Sequence, residues 1–140
     1  MNPKKVLVAV DGSPHSDKVV AAASECARMF GSHLLLVHCH HRFPTILGEP
    51  YRQKEISGII LEAEAVIAPY LRQLQEQIIE VESRLLEEPA GSAIVDVAKI
   101  EKCDLIIMGS RGLSNLAGLI VGSVTNRVLQ TAPCSVLVVR

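Results

Sequence analysis

Residues 104–127 read DLIIMGSRGLSNLAGLIVGSVTNR, and the reading of this stretch decides the fold. Its opening, LIIM at 105–108, is a short apolar run between Asp104 and Gly109, the mark of a buried strand. Gly109 and Gly112 follow, and nine intervening residues lead to Gly122 and Ser123, where a helical run to Gln130 begins. Glycines that close a strand tolerate positive φ and let a ligand approach the backbone. Ser123 is expected to cap the helix, whose first N–H groups and partial positive charge favour an anion. A strand, a glycine turn and a helix start together suit phosphate, with Gly109 and Gly112 shaping a nest of N–H groups. Glycines between strand and helix also occur as plain turns, so the rest of the chain must carry the argument.

The chain has 140 residues, enough for one domain (1–140) with a sizeable core. Hydrophobic residues make up 49%, which excludes a disordered chain, and aromatics only 3%, so the core must be Val, Ile, Leu and Ala. The formal net charge is −1 and no Lys/Arg cluster stands out, which leaves a nucleic-acid partner without electrostatic support. The apolar run near the N-terminus is too short for a signal peptide or a membrane span, so neither a membrane partner nor export is expected. Cys26, Cys39, Cys103 and Cys134 are scattered without a CxxC pair, as buried thiols of a cytoplasmic protein are.

In chain order, residues 5–10 form strand one, and Asp11-Gly12-Ser13-Pro14 breaks it. Ser13 as cap and Pro14 at the first helical position predict a helix to Phe30, with Val19, Ala22, Ala23, Cys26, Ala27 and Phe30 on its apolar face. Gly31 ends it. Residues 33–39 are strand two, and 40–51 a proline-bearing loop. A long helix over 52–77 is expected to kink or split at Pro69. Residues 79–86 alternate apolar and charged, as an edge strand does. A turn at 89–92, with Ser92 as cap, starts a helix over 92–102. Strand four, the glycine loop, the last helix and strand five (SVLVV, 135–139) complete the chain.

Strict β-α alternation predicts an α/β domain, doubly wound, with a five-stranded parallel sheet and helices on both faces. Strands one and four are the most apolar and belong in the centre, while strand three belongs at an edge. The order 3-2-1-4-5 satisfies both and puts the switch point between strands one and four, where open α/β sheets bind ligands. Asp11 and Gly109 stand at the carboxyl ends of those two strands. Topology and glycine spacing thus select one place independently. Strand five becomes the other edge, and its uncharged sequence invites pairing with a second copy unless Arg140 or a helix covers it.

These residues resemble a known family. Gly109-x-x-Gly112, nine residues and then Gly122-Ser123 resembles the glycine motif of the universal stress protein family, in its nucleotide-binding branch. VLVAVDGS resembles that family's first strand, and MGSRG and GSVTNRVLQTAPCSVLVV its last third. The resemblance spans essentially the whole chain. It implies a dimeric stress-response sensor or regulator that binds ATP; a bound triphosphate usually carries Mg²⁺. By the same resemblance Asp11 reaches the adenosine part, the backbone at His38 contacts adenine, and Gly109, Gly112, Gly122 and Ser123, with Val124 and Thr125, hold ribose and phosphates. The flanking Val10, Gly12, Ser13, Met108, Ser110 and Arg111 complete the candidate site. Arg111 either reaches a phosphate or lies in solvent, and residues 40–58 match no family motif.

The sequence has no GxxxxGK[ST], and no GxGxxG at its first βα turn, which argues against a P-loop protein and a Rossmann dinucleotide enzyme. The glycine loop carries no carboxylate or His to activate water, so no catalytic residue is assigned and hydrolysis should be slow at most. Asp11 suits a ribose hydroxyl or a metal ion, and Asp-Gly is also a common turn pair. His38, Cys39, His40 and His41 alternate sides on an extended strand, poor spacing for one tetrahedral metal, so no metal site is expected. Two competing functions stay open: a nucleotide-hydrolysing or adenylyl-handling α/β enzyme, and a dimerisation scaffold that does not use nucleotide.

Overall fold

A computed structural model describes residues 1–110 and 122–140 of the chain. The elements run β1 (Lys5–Ala9), α1 (His15–Phe30), β2 (His33–His40), α2 (Tyr51–Glu76), β3 (Val81–Glu87), α3 (Ala90–Ile100), β4 (Leu105–Gly109), α4 (Ser123–Thr131) and β5 (Ser135–Val139). All strand pairs are parallel, and the order is β3-β2-β1-β4-β5, as the alternation and the edge pattern predict.

Alternate strand residues serve opposite faces of the sheet. On one face Val6, Val8, Leu34, Leu36, Leu105 and Ile107 meet Val19, Val20, Ala23 and Ala27 of α1 and Ile67 and Leu74 of α2. On the other, Leu7, Leu35, Val37, Ile106 and Met108 meet Ile94, Val95 and Ala98 of α3 and Val128 of α4. Those two layers define the doubly wound domain. The buried hydrophobic side chains are aliphatic or sulfur-bearing and include no aromatic ring among the described residues.

Local predictions needed correction in three places. All three expected serine caps fail: Pro14, Pro89 and Gly122 occupy the N-cap positions of α1, α3 and α4, and none of these caps makes a side-chain bond. For α3 this moves the helix start two residues ahead of Ser92. Pro69 does not split α2, which runs through it as a single helix. Both Pro69 and Ala65, whose carbonyl loses its helical partner to the proline, are exposed, so water can take the free carbonyl. Phe30, expected on the apolar face of α1, is exposed rather than in the core. Gly31 ends α1 as expected, in the left-handed conformation at φ 66°, donating its N–H to the Ala27 carbonyl at 2.8 Å.

Candidate functional site

At the carboxyl ends of β1, β2 and β4 the sheet opens into a cavity of about 490 Å³. That is the switch point, since the chain leaves β1 toward β2 on one side while β4 lies on the other. Ala9, Val10, Val37 and Met108 form its apolar floor, and Ile59, Glu62, Ala63 and Val66 of α2 form a wall. The size falls within the range of small-molecule sites, roughly 300–1,000 Å³.

One side of the cavity is the turn from β1 into α1. The Asp11 carboxylate organises it. Its Oδ1 accepts the Ser13 N–H at 2.9 Å and the Ser16 hydroxyl at 3.0 Å. Ser16 Oγ in turn accepts the Asp11 N–H at 3.1 Å. Asp11 Oδ2 has no donor among the described residues, and the side chain lines the cavity. Gly12 takes φ +81° to make the turn, and a Cβ there would sit 3.1 Å from Val66 Cγ1. It shapes the turn without lining the cavity. Ser13 is buried, lines the cavity, and its Oγ has no hydrogen-bond partner. His15 reaches across to the Val139 carbonyl at 2.6 Å. A carbonyl only accepts, so His15 Nε2 carries the proton.

The opposite side is built from backbone. Gly122 is extended at φ −69°, ψ 164°, and α4 begins at Ser123. The Gly122 N–H donates to the Ser110 carbonyl at 2.6 Å, and the Ser110 N–H donates to the Val139 carbonyl at 2.8 Å. Buried Thr125 donates its hydroxyl to the Gly109 carbonyl at 2.6 Å. These bonds fix the first turn of α4 against the end of β4, with Ser123 and Val124 facing the cavity. Ser110 braces the site through its backbone and does not line it. Arg111 and Gly112 lie outside the described residues.

At the end of β2, His38 donates Nδ1–H to the Val10 carbonyl at 3.0 Å and so ties β2 to the β1 exit. Burial, with the Glu88 charge adding to it, pushes the Cys39 thiol up to about 12, so Cys39 is not a thiolate ligand or nucleophile at neutral pH. His40 donates to the His41 carbonyl at 2.8 Å and stacks on Phe43, while His41 lies 3.5 Å from Glu88. Among the described residues, no three His, Cys, Asp or Glu side chains converge to hold a metal ion.

Of the predicted site residues, Val10, Asp11, Ser13, His38, Met108, Gly109, Gly122, Ser123, Val124 and Thr125 share this cavity. Sequence reasoning missed His15, Ser16, Glu62, Glu88 and the α2 wall. The wall carried a signal, because Ile59, Glu62, Ala63 and Val66 follow i, i+3, i+4, i+7 spacing on one helix face.

The profile described as the Universal stress protein family matches residues 2–140. A relative from Thermus aquaticus, "Universal stress protein in QAH/OAS sulfhydrylase 3'region", is 36% identical over 137 residues and covers 98% of each chain. Among solved structures, the universal stress protein UspA from Lactobacillus plantarum shares the fold with TM-score 0.82 at 24% identity, covering 98% of this chain and 97% of its own. A universal stress protein in complex with cAMP aligns with TM-score 0.76 at 24% identity over 100% of this chain and 99% of its own. Two more neighbours hold dAMP (Archaeoglobus fulgidus, TM-score 0.64, 23% identity, 100% of both chains) and AMP (Arabidopsis thaliana, TM-score 0.73, 19% identity, 98% and 91%). At those identities the structural likeness speaks for the fold, whereas the profile and the Thermus relative speak for descent. The chain belongs to the universal stress protein family.

Proposed function

We propose that the chain binds ATP in the switch-point cavity and acts as a dimeric stress-response regulator that hydrolyses it slowly at most. One observation carries this reading: a free carboxylate oxygen on Asp11 and the first turn of α4 face one cavity of about 490 Å³ from opposite sides. The carboxylate accepts from sugar hydroxyls, and the helix start receives phosphate oxygens through backbone N–H groups. None of the residues lining the cavity from β4 and α4 (Met108, Gly109 and 122–125) is acidic, so nothing on those segments repels phosphate. The unpartnered Ser13 hydroxyl is a further polar group that a polar ligand would satisfy. The nucleotides held by the cAMP, dAMP and AMP neighbours support the same ligand class. Mg²⁺ would travel on the phosphates and supply charge neutralisation.

Denaturing the purified protein and weighing the released small molecules tests the reading. ATP near one per chain supports it. An empty protein that also ignores ATP with Mg²⁺ in calorimetric titration overturns it and favours the nucleotide-free scaffold. The enzyme alternative gains a specific observation, since His15, Glu62 and Glu88 line the cavity although the glycine loop has no such group. Steady-state turnover well above about one per minute, against typical enzymes at 1–10³ per second, would favour it.

The dimer is proposed through β5, an edge strand whose Leu137 is 45% exposed. Light scattering at micromolar concentration should give twice the chain mass, and Leu137→Glu should return it to one. A cytoplasmic setting is proposed with it. All four cysteines are free, and no helix among the described residues is long and apolar enough to cross a membrane.

A further inference from the structure

Val139 is the last residue of β5, an edge strand, and its carbonyl accepts two hydrogen bonds. One comes at 2.8 Å from the N–H of Ser110, one residue past the end of β4, the strand beside β5. The other comes at 2.6 Å from His15 Nε2–H, at the start of α1. β4 lies between β5 and β1, the strand that feeds α1, so His15 spans a strand to reach this edge. His15 also lines the cavity. The Ser110 carbonyl in turn accepts the N–H of Gly122, immediately ahead of α4, at 2.6 Å. The end of the edge strand is thus tied to both sides of the cavity. Toward α4 the tie runs through backbone, and toward α1 through a side chain that can change rotamer.

We propose that His15 couples the cavity to the β5 edge, so that a nucleotide and a second copy of the chain each strengthen the binding of the other. This rests on the ATP and dimer readings above and adds the link between them. A ligand shifts an equilibrium only through interactions that differ between the two states. His15 supplies such a difference. With the cavity open, its ring can leave the Val139 carbonyl for another staggered well, into the space it borders. A nucleotide filling that space removes those wells and keeps Nε2 on the carbonyl. The end of β5 is then held from two sides, and the edge offered to a second copy is fixed along its length. Pairing of the two edges orders the same residue, so by reciprocity it holds His15 in place and favours the nucleotide. His15 is a positioning residue in this scheme. It acts on the second copy through Val139 and needs no contact with it.

Sedimentation of the nucleotide-stripped full chain, without nucleotide and with saturating ATP and Mg²⁺, tests the link. The parent's dimer dissociation constant should fall about tenfold or more on adding ATP, within the range of about 5–150-fold usual for coupled sites. In His15→Ala the two constants should agree, with ATP raised until the variant's own site is full. His15→Gln, whose amide N–H can replace Nε2–H toward Val139, should restore the dependence. A merely structural His15 would weaken the dimer equally in both conditions and leave the ratio as in the parent, and that result overturns the proposal. So does a parent that binds ATP and dimerises with neither affecting the other, or a His15→Gln that behaves like His15→Ala. A parent that binds no ATP, or stays monomeric throughout, instead sinks the reading on which the link rests, so the two failures are told apart.

Discussion

Two serines, each about 95% buried, sit near opposite ends of the sheet and behave oppositely. Ser32, beside the start of β2, donates its hydroxyl to the Pro3 carbonyl at 2.6 Å. Ser13, past the end of β1, has no partner. Their surroundings differ in the same sense. At the amino end, the Asp104 carboxylate accepts the N–H groups of Lys4 and Lys5, both at 3.0 Å, and Lys5 reaches Glu101 at 2.7 Å. The polar groups there close on one another and lock β1 to β4. At the carboxyl end, an oxygen of Asp11 and the Ser13 hydroxyl are left over around a cavity. At one end the polar groups pair with one another, and at the other two are left without a partner beside a cavity. Substitutions at the two ends should therefore separate stability from binding.

The largest effect should come from Gly122→Val at the carboxyl end. Its φ of −69° and ψ of 164° suit any residue, so the backbone is not strained by the change. Gly122 lines the cavity immediately ahead of α4, so an isopropyl group there should crowd a ligand at the helix start. ATP affinity should fall at least about a hundredfold, close to 3 kcal/mol, with ligand-free melting nearly unchanged. Equal binding by parent and variant in calorimetry would make the glycine turn structural. Asp11→Asn should cost about tenfold in ATP affinity and little stability, because Oδ1 can still accept from Ser13 and Ser16 while a donor replaces Oδ2.

The contrast between the ends was half legible in the sequence. Asp11 and Gly109 could be placed together because β-α alternation and one charged edge strand dictate the order 3-2-1-4-5. The chemistry of the turn after β1 was not legible. Ser13 followed by Pro14 reads as a helix cap, yet the Asp11 carboxylate takes the Ser13 N–H and the Ser16 hydroxyl, and the Ser13 hydroxyl is left unpaired. Such competition among neighbouring side chains depends on the turn's three-dimensional path. His15 and Glu88 enter the cavity only once α1 and β3 are docked, so residue spacing carried no sign of them. The amino-end lock is non-local too: Asp104 meets Lys4 and Lys5 across about a hundred residues.

Asp104→Asn should invert the outcome at the carboxyl end. Burial alone would raise the Asp104 carboxyl, but the Lys4 and Lys5 N–H groups outweigh it and hold it below its ordinary value. A depressed carboxyl stabilises the fold fully above the unfolded value, near 3.8, and that contribution is lost as pH falls through the lower folded value. Water screens the exposed Asp104 carboxylate, so melting at neutral pH should drop by the equivalent of about 1 kcal/mol at most. The parent's acid destabilisation below about pH 4 should flatten in the variant. ATP affinity should not move. A matching loss of affinity would mean that the two ends are coupled through β1 and β4.

The smallest effect belongs to Lys5→Met. Lys5 and Glu101 pair at 2.7 Å with side chains 30% and 25% exposed, so water screens the pair from both sides. The Glu101 bond raises the Lys5 ammonium and lowers the Glu101 carboxyl, consistent directions for one ion pair. The raised ammonium contributes stability that is present below its unfolded value, 10.5, and lost as pH rises through the folded one. The lowered carboxyl contributes above its unfolded value, 4.5, and loses that contribution as pH falls through the folded one. Together they make the pair worth most between those limits. Arg84 also reaches Glu101, at 3.3 Å, so the carboxylate keeps one cation after the substitution and Met retains the aliphatic stem. Melting should fall by less than for Asp104→Asn. The difference from the parent should vanish in about 1 M salt, where the screening length is about 3 Å. A deficit that survives such salt would place the role of Lys5 in packing rather than charge, and the amino-end lock would then rest on Asp104 alone.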